Sequence, residues 1–429
     1  MKWLLILLLL ITNGFNVCAQ MDISGIHSQF ALHTEREKLH RSMYERTIRK
    51  NLSYIPDSEN EYRFQSAFYT VTQFLIQDSI VFAGFDKILK RYDSLEWETR
   101  RSFLEAIYAL NPKKYTASIS KVLTKETHPK GVAMAALFVY RNDSTQFKKI
   151  LSSINEKFPD YTSIPVLTEL VKYMLASSVT KKDKLPDLSS LFAVQSSHRR
   201  KMIYSFQRQN RDYPGIAVIQ GADGKFARDE NGELIMIRQL ARSGSSLPYF
   251  ITNGNTPQGI YSIQGIGIST NQLIGPTPNL QMIMPFEKYW FDFFHEDADS
   301  TYPLLSYLDI LPDSWRDYLP IQESFYAGKT GRTEIIAHGT TIDPAYFTGR
   351  SFYPISPTLG CLCAPENWNV STGRLTTSEQ FRLADTYSKI ESDDGFFIVL
   401  NLDNKQIPVS RNEIEMIIRK FEESSSQLR

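Results

Sequence analysis

Two short segments near the C-terminal end carry the residue types for nucleophilic chemistry. Ala337-His338-Gly339-Thr340 is followed a short way on by Thr358-Leu359-Gly360-Cys361-Leu362-Cys363. Cys361 and Cys363 are the only cysteines outside the N-terminal apolar segment. Cysteines two apart on an extended segment cannot form a good disulfide, because their side chains splay at the wrong distance. A thiol attacks as the thiolate and needs a base or a cation to release its proton, and the His338 imidazole would serve. Gly360 lets the backbone come close, so N–H groups around Gly360 and Cys361 would hold the oxyanion of a tetrahedral intermediate. The imidazole must itself be oriented by an acceptor, commonly a carboxylate or a backbone carbonyl; no Asp follows His338 at once, so a backbone carbonyl near Gly339 is the economical candidate.

The same residue types allow two other chemistries. A free cysteine is often simply buried, and a lone His beside it structural. Zinc accepts His338, Cys361 and Cys363 as ligands, but the remaining histidines are scattered and no CxxC pair completes the set. Neither the nucleophile nor the buried reading calls for a cofactor.

These elements sit in a chain of 429 residues, too long for one core and suggestive of two or three domains. Hydrophobic content of 42% and aromatic content of 12% suit a packed globular protein, and a net charge of +1 gives no electrostatic case for nucleic acid. Residues 1–19 read as a secretory signal: one Lys, the apolar run Trp3 to Ile11, then Val17-Cys18-Ala19 with small residues where a signal peptidase cuts. The run is too short for a permanent span, and no later segment is apolar for long enough. Val17 is bulky for a lipidation site, so cleavage after Ala19 is preferred over a lipid tether at Cys18. The expected location is periplasmic or cell-envelope.

Residues 20–176 read as helical. Phe64, Phe68, Val71 and Leu75 form an amphipathic stripe, repeated by Phe103, Ile107 and Leu110, by Phe147, Ile150, Leu151 and Ile154, and by Leu167, Leu170, Val171 and Met174. Asn111-Pro112, His128-Pro129, Asn142-Asp143-Ser144 and Phe158-Pro159-Asp160 break the stripes. Short helices and short turns suggest an α-solenoid-like array or an irregular bundle. This half is either a packed scaffold or a surface for a protein partner. Residues 177–204 are assigned as linker from the polar run Ser177 to Lys184.

Beyond the linker the period changes. Ile216 to Ile219, Leu234 to Leu240, Tyr249 to Ile251, the isoleucines 260, 263, 266 and 268, and Phe396 to Leu400 read as strands. The turns Gly221-Ala222-Asp223-Gly224 and Asp229-Glu230-Asn231-Gly232 punctuate them. An aromatic-rich stretch, about 286–334, would be core, or a lid or substrate platform.

In order and spacing, Asn255-Thr256-Pro257-Gln258-Gly259-Ile260-Tyr261-Ser262-Ile263, His338-Gly339-Thr340 and Thr358-Leu359-Gly360-Cys361-Leu362 resemble the L,D-transpeptidase catalytic-domain family. Arg242-Ser243-Gly244 sits where that family has a short turn before the Thr-Pro element. The resemblance covers residues 205–402, and three ordered motifs are more specific than any one. It implies Cys361 as nucleophile, His338 as general base, the Gly339 carbonyl as its orienter, and backbone N–H groups at Gly360 and Cys361 as oxyanion donors. Thr358 stands for the usual Ser, while Thr256, Pro257 and Gly259 are turn residues. The chain departs from the family at Leu359, where many members have His, at Cys363, where many have Arg or Asn, and in a longer interval from His338 to Cys361. Arg350 is the candidate to replace the missing arginine in substrate binding.

The fold class expected is α+β: the helical domain, then a mostly β L,D-transpeptidase-like catalytic domain with the aromatic insertion, then residues 403–429 as a tail or helix. The resemblance implies an exported enzyme acting on peptidoglycan stem peptides without metal or organic cofactor. Cys361 would expel the terminal D-alanine of a tetrapeptide, and an amine of a second stem would resolve the thioester. Water as acceptor would give an L,D-carboxypeptidase, and a non-catalytic cell-wall binding or scaffold protein is the alternative of another class.

Overall fold

The stripe of Phe64, Phe68 and Val71 is the fully buried face of a helix, and that pattern builds the first half of the molecule. The structure is a computed structural model that describes residues 21–178, 184–197, 199–295, 303–392 and 395–427. The proposed signal, with Cys18, and the middle of the polar run Ser177 to Lys184 lie outside them.

Helix α1 (His33–Ser42) passes through a wider π-helical segment, Met43–Lys50, into the short α2 (Asn51–Ser53). There follow α3 (Glu61–Phe74), α4 (Ser79–Arg91), α5 (Trp97–Leu110), α6 (Thr116–Lys125), α7 (Pro129–Asn142), α8 (Phe147–Lys157) and α9 (Pro165–Ser178). Their ends are set locally: Leu75 and Asn111 turn left-handed past α3 and α5, and Pro129 opens α7 where its missing N–H costs nothing. Helices α3, α5, α7 and α9 each pack on the next, with α4, α6 and α8 between them in sequence, which is the arrangement of stacked antiparallel pairs. Phe68, Phe85 and Phe103 meet at the centre, with centroids 5.4 to 6.1 Å apart.

The second half wraps one mixed sheet. Its strands are β1 (Lys201–Arg208), β2 (Gly215–Gln220), β3 (Ile237–Gln239), β4 (Gly259–Gly267), β5 (Asn279–Ile283), β6 (Ala337–His338), β7 (Leu362–Cys363) and β10 (Gly395–Asp403), in the order β3-β2-β1-β10-β4-β5-β6-β7. Leu240, just past β3, pairs with Cys363 on β7, so the two edges of the sheet meet and close it on itself. Closure removes the unpaired edges an open sheet would expose. Strand alternation then sorts the cores. Phe397, Val399, Ile203 and Ala337 face the interior under Leu383 and Tyr387 of α15 (Glu379–Lys389). Phe396, Ile398, Met202 and Tyr204 face outward under a helical layer.

That outer layer accounts for most of the aromatic insertion. Its helices α11 (Trp290–Phe294), α12 (Leu304–Leu308), α13 (Asp313–Arg316) and α14 (Glu323–Lys329) bury Trp290, Phe293, Tyr307, Trp315 and Phe325 as ordinary core. Tyr289 and Phe291 stay exposed and stack on each other at 5.7 Å.

Several boundaries move relative to the sequence expectation. The stretch taken as linker contains α10 (Leu188–Ser197), whose Leu191 and Phe192 are buried against the sheet, and β1 begins at Lys201. Tyr249 to Ile251 is a turn, not a strand, and of the run 234–240 the strand β3 takes Ile237–Gln239, with Leu234 and Leu240 in single bridges. β10 runs to Asp403, and the C-terminal segment is the helix α16 (Arg411–Gln427), which buries Ile414, Ile418 and Phe421. At the other end, His27 pairs with Arg374, and Ala31 packs on Trp368 and Leu375 of the hairpin β8 (Glu366–Trp368) and β9 (Leu375–Ser378). The first described residues thus belong to the sheet half before the chain enters the helices.

The two halves share one apolar core. Leu240, Leu247, Phe250, Ile251, Phe347, Phe352 and Cys363 join the buried residues of α3 to α9. Polar contacts follow the same seam: Lys130 donates to Thr252 Oγ1 at 3.0 Å, Tyr249 to Glu169 at 2.6 Å, and Asn253 to both oxygens of the buried Glu105 at 3.1 and 3.2 Å.

Candidate active site

Parallel strands β6 and β7 place the expected pair. Ala337 lies opposite Leu362 and His338 opposite Cys363. Ala337 and Leu362 point into the sheet interior, so His338, Cys361 and Cys363 share its outer face. Cys361 comes two residues before the partner of His338 and therefore stands diagonal to the imidazole, about 8 Å away between backbones by ordinary strand spacing.

His338 is buried, and its Nδ1 lies 2.5 Å from the Gly339 carbonyl. With Nδ1–H donating there, Nε2 is the nitrogen left to accept a proton. The Cys361 thiol donates to the Glu334 carbonyl at 3.4 Å. Burial pushes the thiol up to about 11, against a backbone hydrogen bond from Ile336 and the nearby Arg332, which pull it down. Burial holds the imidazole down to about 4, against the Gly339 hydrogen bond. Both groups are thus held toward their neutral forms around pH 7.

The turn that carries Cys361 is braced residue by residue. Thr358 Oγ1 donates to the Cys361 carbonyl at 2.8 Å and accepts the Gly360 N–H at 3.0 Å. Thr256 Oγ1, from the Thr-Pro turn, donates to the Gly360 carbonyl at 2.8 Å. Ser243 bridges to Thr358, which brings in the Arg242-Ser243-Gly244 segment. Gly360 has φ +121°, and a Cβ there would lie 2.3 Å from Arg332 Nη2 and 2.7 Å from the Gly254 carbonyl. Since Thr358 takes the Gly360 N–H, the expected oxyanion donors reduce to the Cys361 N–H, for which no acceptor is present among the described residues.

Three residues at the site carry no sequence signal. Arg332 is buried and donates to the carbonyls of Tyr249, Gly254 and Asn255, tying the turn at 249–255 to the nucleophile turn. Burial lowers it to about 10, and its charge favours the Cys361 thiolate. Glu334 is a non-glycine residue at φ 61°, held there as its N–H donates to Glu287 at 2.7 Å. Glu366 accepts the Thr340 N–H at 2.8 Å, and burial pushes it up to about 7.

Arg350, expected to bind substrate, is exposed in the turn between Phe347 and Tyr353, with backbone hydrogen bonds to both. The cation set against the nucleophile turn is Arg332. Cys363 is fully buried in the core shared with the helices, and burial raises its thiol far above the ordinary range. Among the described residues, no group of three or more His, Cys, Asp or Glu side chains converges as a metal-ligand set. No helix among them is long and apolar enough to cross a membrane.

No protein-family profile matches this chain, and neither the curated proteins nor the solved structures include a match.

Proposed function

We propose that this protein is an exported cysteine acyltransferase of the L,D-transpeptidase type acting on peptidoglycan stem peptides. The observation that carries the reading is His338 on β6 beside parallel β7, which Cys361 immediately precedes, with the imidazole oriented through Nδ1 by the Gly339 carbonyl. Cys361 Sγ attacks the carbonyl of the third stem residue while His338 Nε2 takes the thiol proton. The carbonyl oxygen, negative in the tetrahedral intermediate, turns toward the Cys361 N–H. Collapse breaks the peptide bond, and His338 returns its proton to the departing D-alanine amine. An amine of a second stem then attacks the thioester, His338 takes a proton from it, and the thiol is restored. Water in place of that amine yields the trimmed tripeptide. In either case Arg332 offsets charge on the sulfur whenever the thiol is ionised.

Incubation with purified muropeptides and mass spectrometry, with Cys361→Ala as control, tests the proposal. Loss of D-alanine from tetrapeptides, with or without new cross-links, supports it and separates transfer from trimming. No D-alanine release by the wild-type protein, with Cys361 equally inert to thiol reagents, overturns it in favour of a non-catalytic wall-binding protein.

A further inference from the structure

Glu366 lies outside every motif of the sequence, yet it touches the peptide group that orients His338. Its Oε2 accepts the Thr340 N–H at 2.8 Å, and its Oε1 accepts the Ser378 hydroxyl at 2.7 Å. Ser378 is held in turn by the Phe381 N–H at the start of α15, at 2.8 Å. The carboxyl lies so close over Gly339 that a Cβ there would be 2.1 Å from Glu366 Cδ. Glycine at 339 is therefore what lets the carboxylate reach the next N–H.

Gly339 C=O and Thr340 N–H are two ends of one planar unit, pointing in opposite directions. His338 Nδ1–H occupies the carbonyl end, and Glu366 occupies the N–H end. We propose that Glu366 is a positioning residue for His338, acting through the Gly339–Thr340 peptide where a carboxylate would otherwise bond the imidazole directly. The inference rests on the reading of His338 as the base for Cys361.

Two effects follow from the geometry. Anchoring the N–H end stops the peptide from rotating, so its carbonyl stays aimed at Nδ1 and the proton stays off Nε2. When the carboxyl is ionised, its negative charge at the N–H end also polarises the peptide, making its oxygen a stronger acceptor and the imidazole a stronger base. No proton crosses the peptide; the carboxylate acts by orientation and field alone.

The test uses the full mature chain and four variants: Glu366→Gln, Glu366→Asp, Glu366→Ala and His338→Ala. Gln keeps an oxygen for the Thr340 N–H but removes the charge. Two measurements are made: the His338 tautomer by ¹⁵N NMR, and the rate of iodoacetamide labelling at Cys361 by mass spectrometry. The expected result is an Nδ1–H tautomer in wild type and a mixture in Glu366→Ala. Labelling should fall by about tenfold in Glu366→Gln and recover in part in Glu366→Asp. If Glu366→Gln and Glu366→Ala both fold and keep wild-type tautomer and labelling, the proposal is overturned. Failure of the parent reading looks different: His338→Ala would then label as fast as wild type, whatever Glu366 does.

Discussion

His338 stands directly opposite Cys363 across the β6–β7 ladder, and Cys361, two residues earlier, is diagonal to it. Of the two cysteines, the one in register with the imidazole is fully buried, and the one offset by two residues is partly exposed.

Removing either partner should abolish turnover without unfolding the protein. His338→Ala is expected to slow D-alanine release by about 10²–10⁴-fold, the range for loss of a positioned base. Cys361→Ala should leave no measurable release. Circular dichroism and melting curves close to wild type would show that the loss is chemical.

The neutral resting pair has a signature in pH. With the thiol near 11 and the imidazole near 4, sulfur keeps its proton throughout the neutral range, and thiolate grows only as pH rises toward the thiol value. Iodoacetamide labelling of Cys361 should therefore climb steadily between about pH 6 and about pH 9. A flat, fast plateau across that range would mean a preformed thiolate–imidazolium pair instead.

Gly360→Ala should be costly in both stability and activity. The added methyl group meets a guanidinium and a backbone carbonyl at a φ that side chains rarely adopt, a strain of at least about 1–3 kcal/mol. Arg332→Met should cost at least as much, since the carbonyls of Tyr249, Gly254 and Asn255 all lose their donor, at about 1–3 kcal/mol for each one left unpaired. Chemical denaturation would measure both, and either variant at wild-type stability would contradict the bracing role given to Arg332.

Glu105 makes stability depend on pH. Burial raises its carboxyl from 4.5 to about 7 in the folded protein. Between these values the folded state holds a proton that the unfolded state has released, so this contribution is present below the lower value and is lost as pH rises through the upper one. The loss is about 3 kcal/mol at most. Glu105→Gln keeps an acceptor for Asn253 and cannot ionise, so its melting temperature should fall less than that of wild type between about pH 5 and about pH 8. Parallel curves for the two proteins would rule this source out.

How much of the site was legible depended on distance along the chain. His338, Gly339, Thr358, Gly360 and Cys361 stood out as candidates because a nucleophile turn and its base would each need adjacent residues of fixed type. Thr256 was legible as a turn residue, but its bond to Gly360 crosses 104 positions and no local pattern could state it. Arg332, Glu366 and Glu105 were missed for the same reason: a buried charge is recognised by what folds around it. Tyr249 to Ile251 looked like a strand because its residue types favour one, yet their place is a turn whose carbonyls bind Arg332 and Thr330. The aromatic stretch followed composition more faithfully, since large apolar rings must be covered wherever the backbone takes them.

The short seam that closes the sheet, the Leu240–Cys363 pair continued by Ser243–Thr358, gives the protein an internal gauge of its own integrity. Segments joined by few hydrogen bonds open before the rest of a fold does. Opening there would bare the Cys363 sulfur while the Cys361 turn, held by Thr256 and Thr358, stayed in place. A second reagent adduct arriving at Cys363 would thus time the breathing of the barrel seam separately from labelling at Cys361, in one spectrum and without an added label.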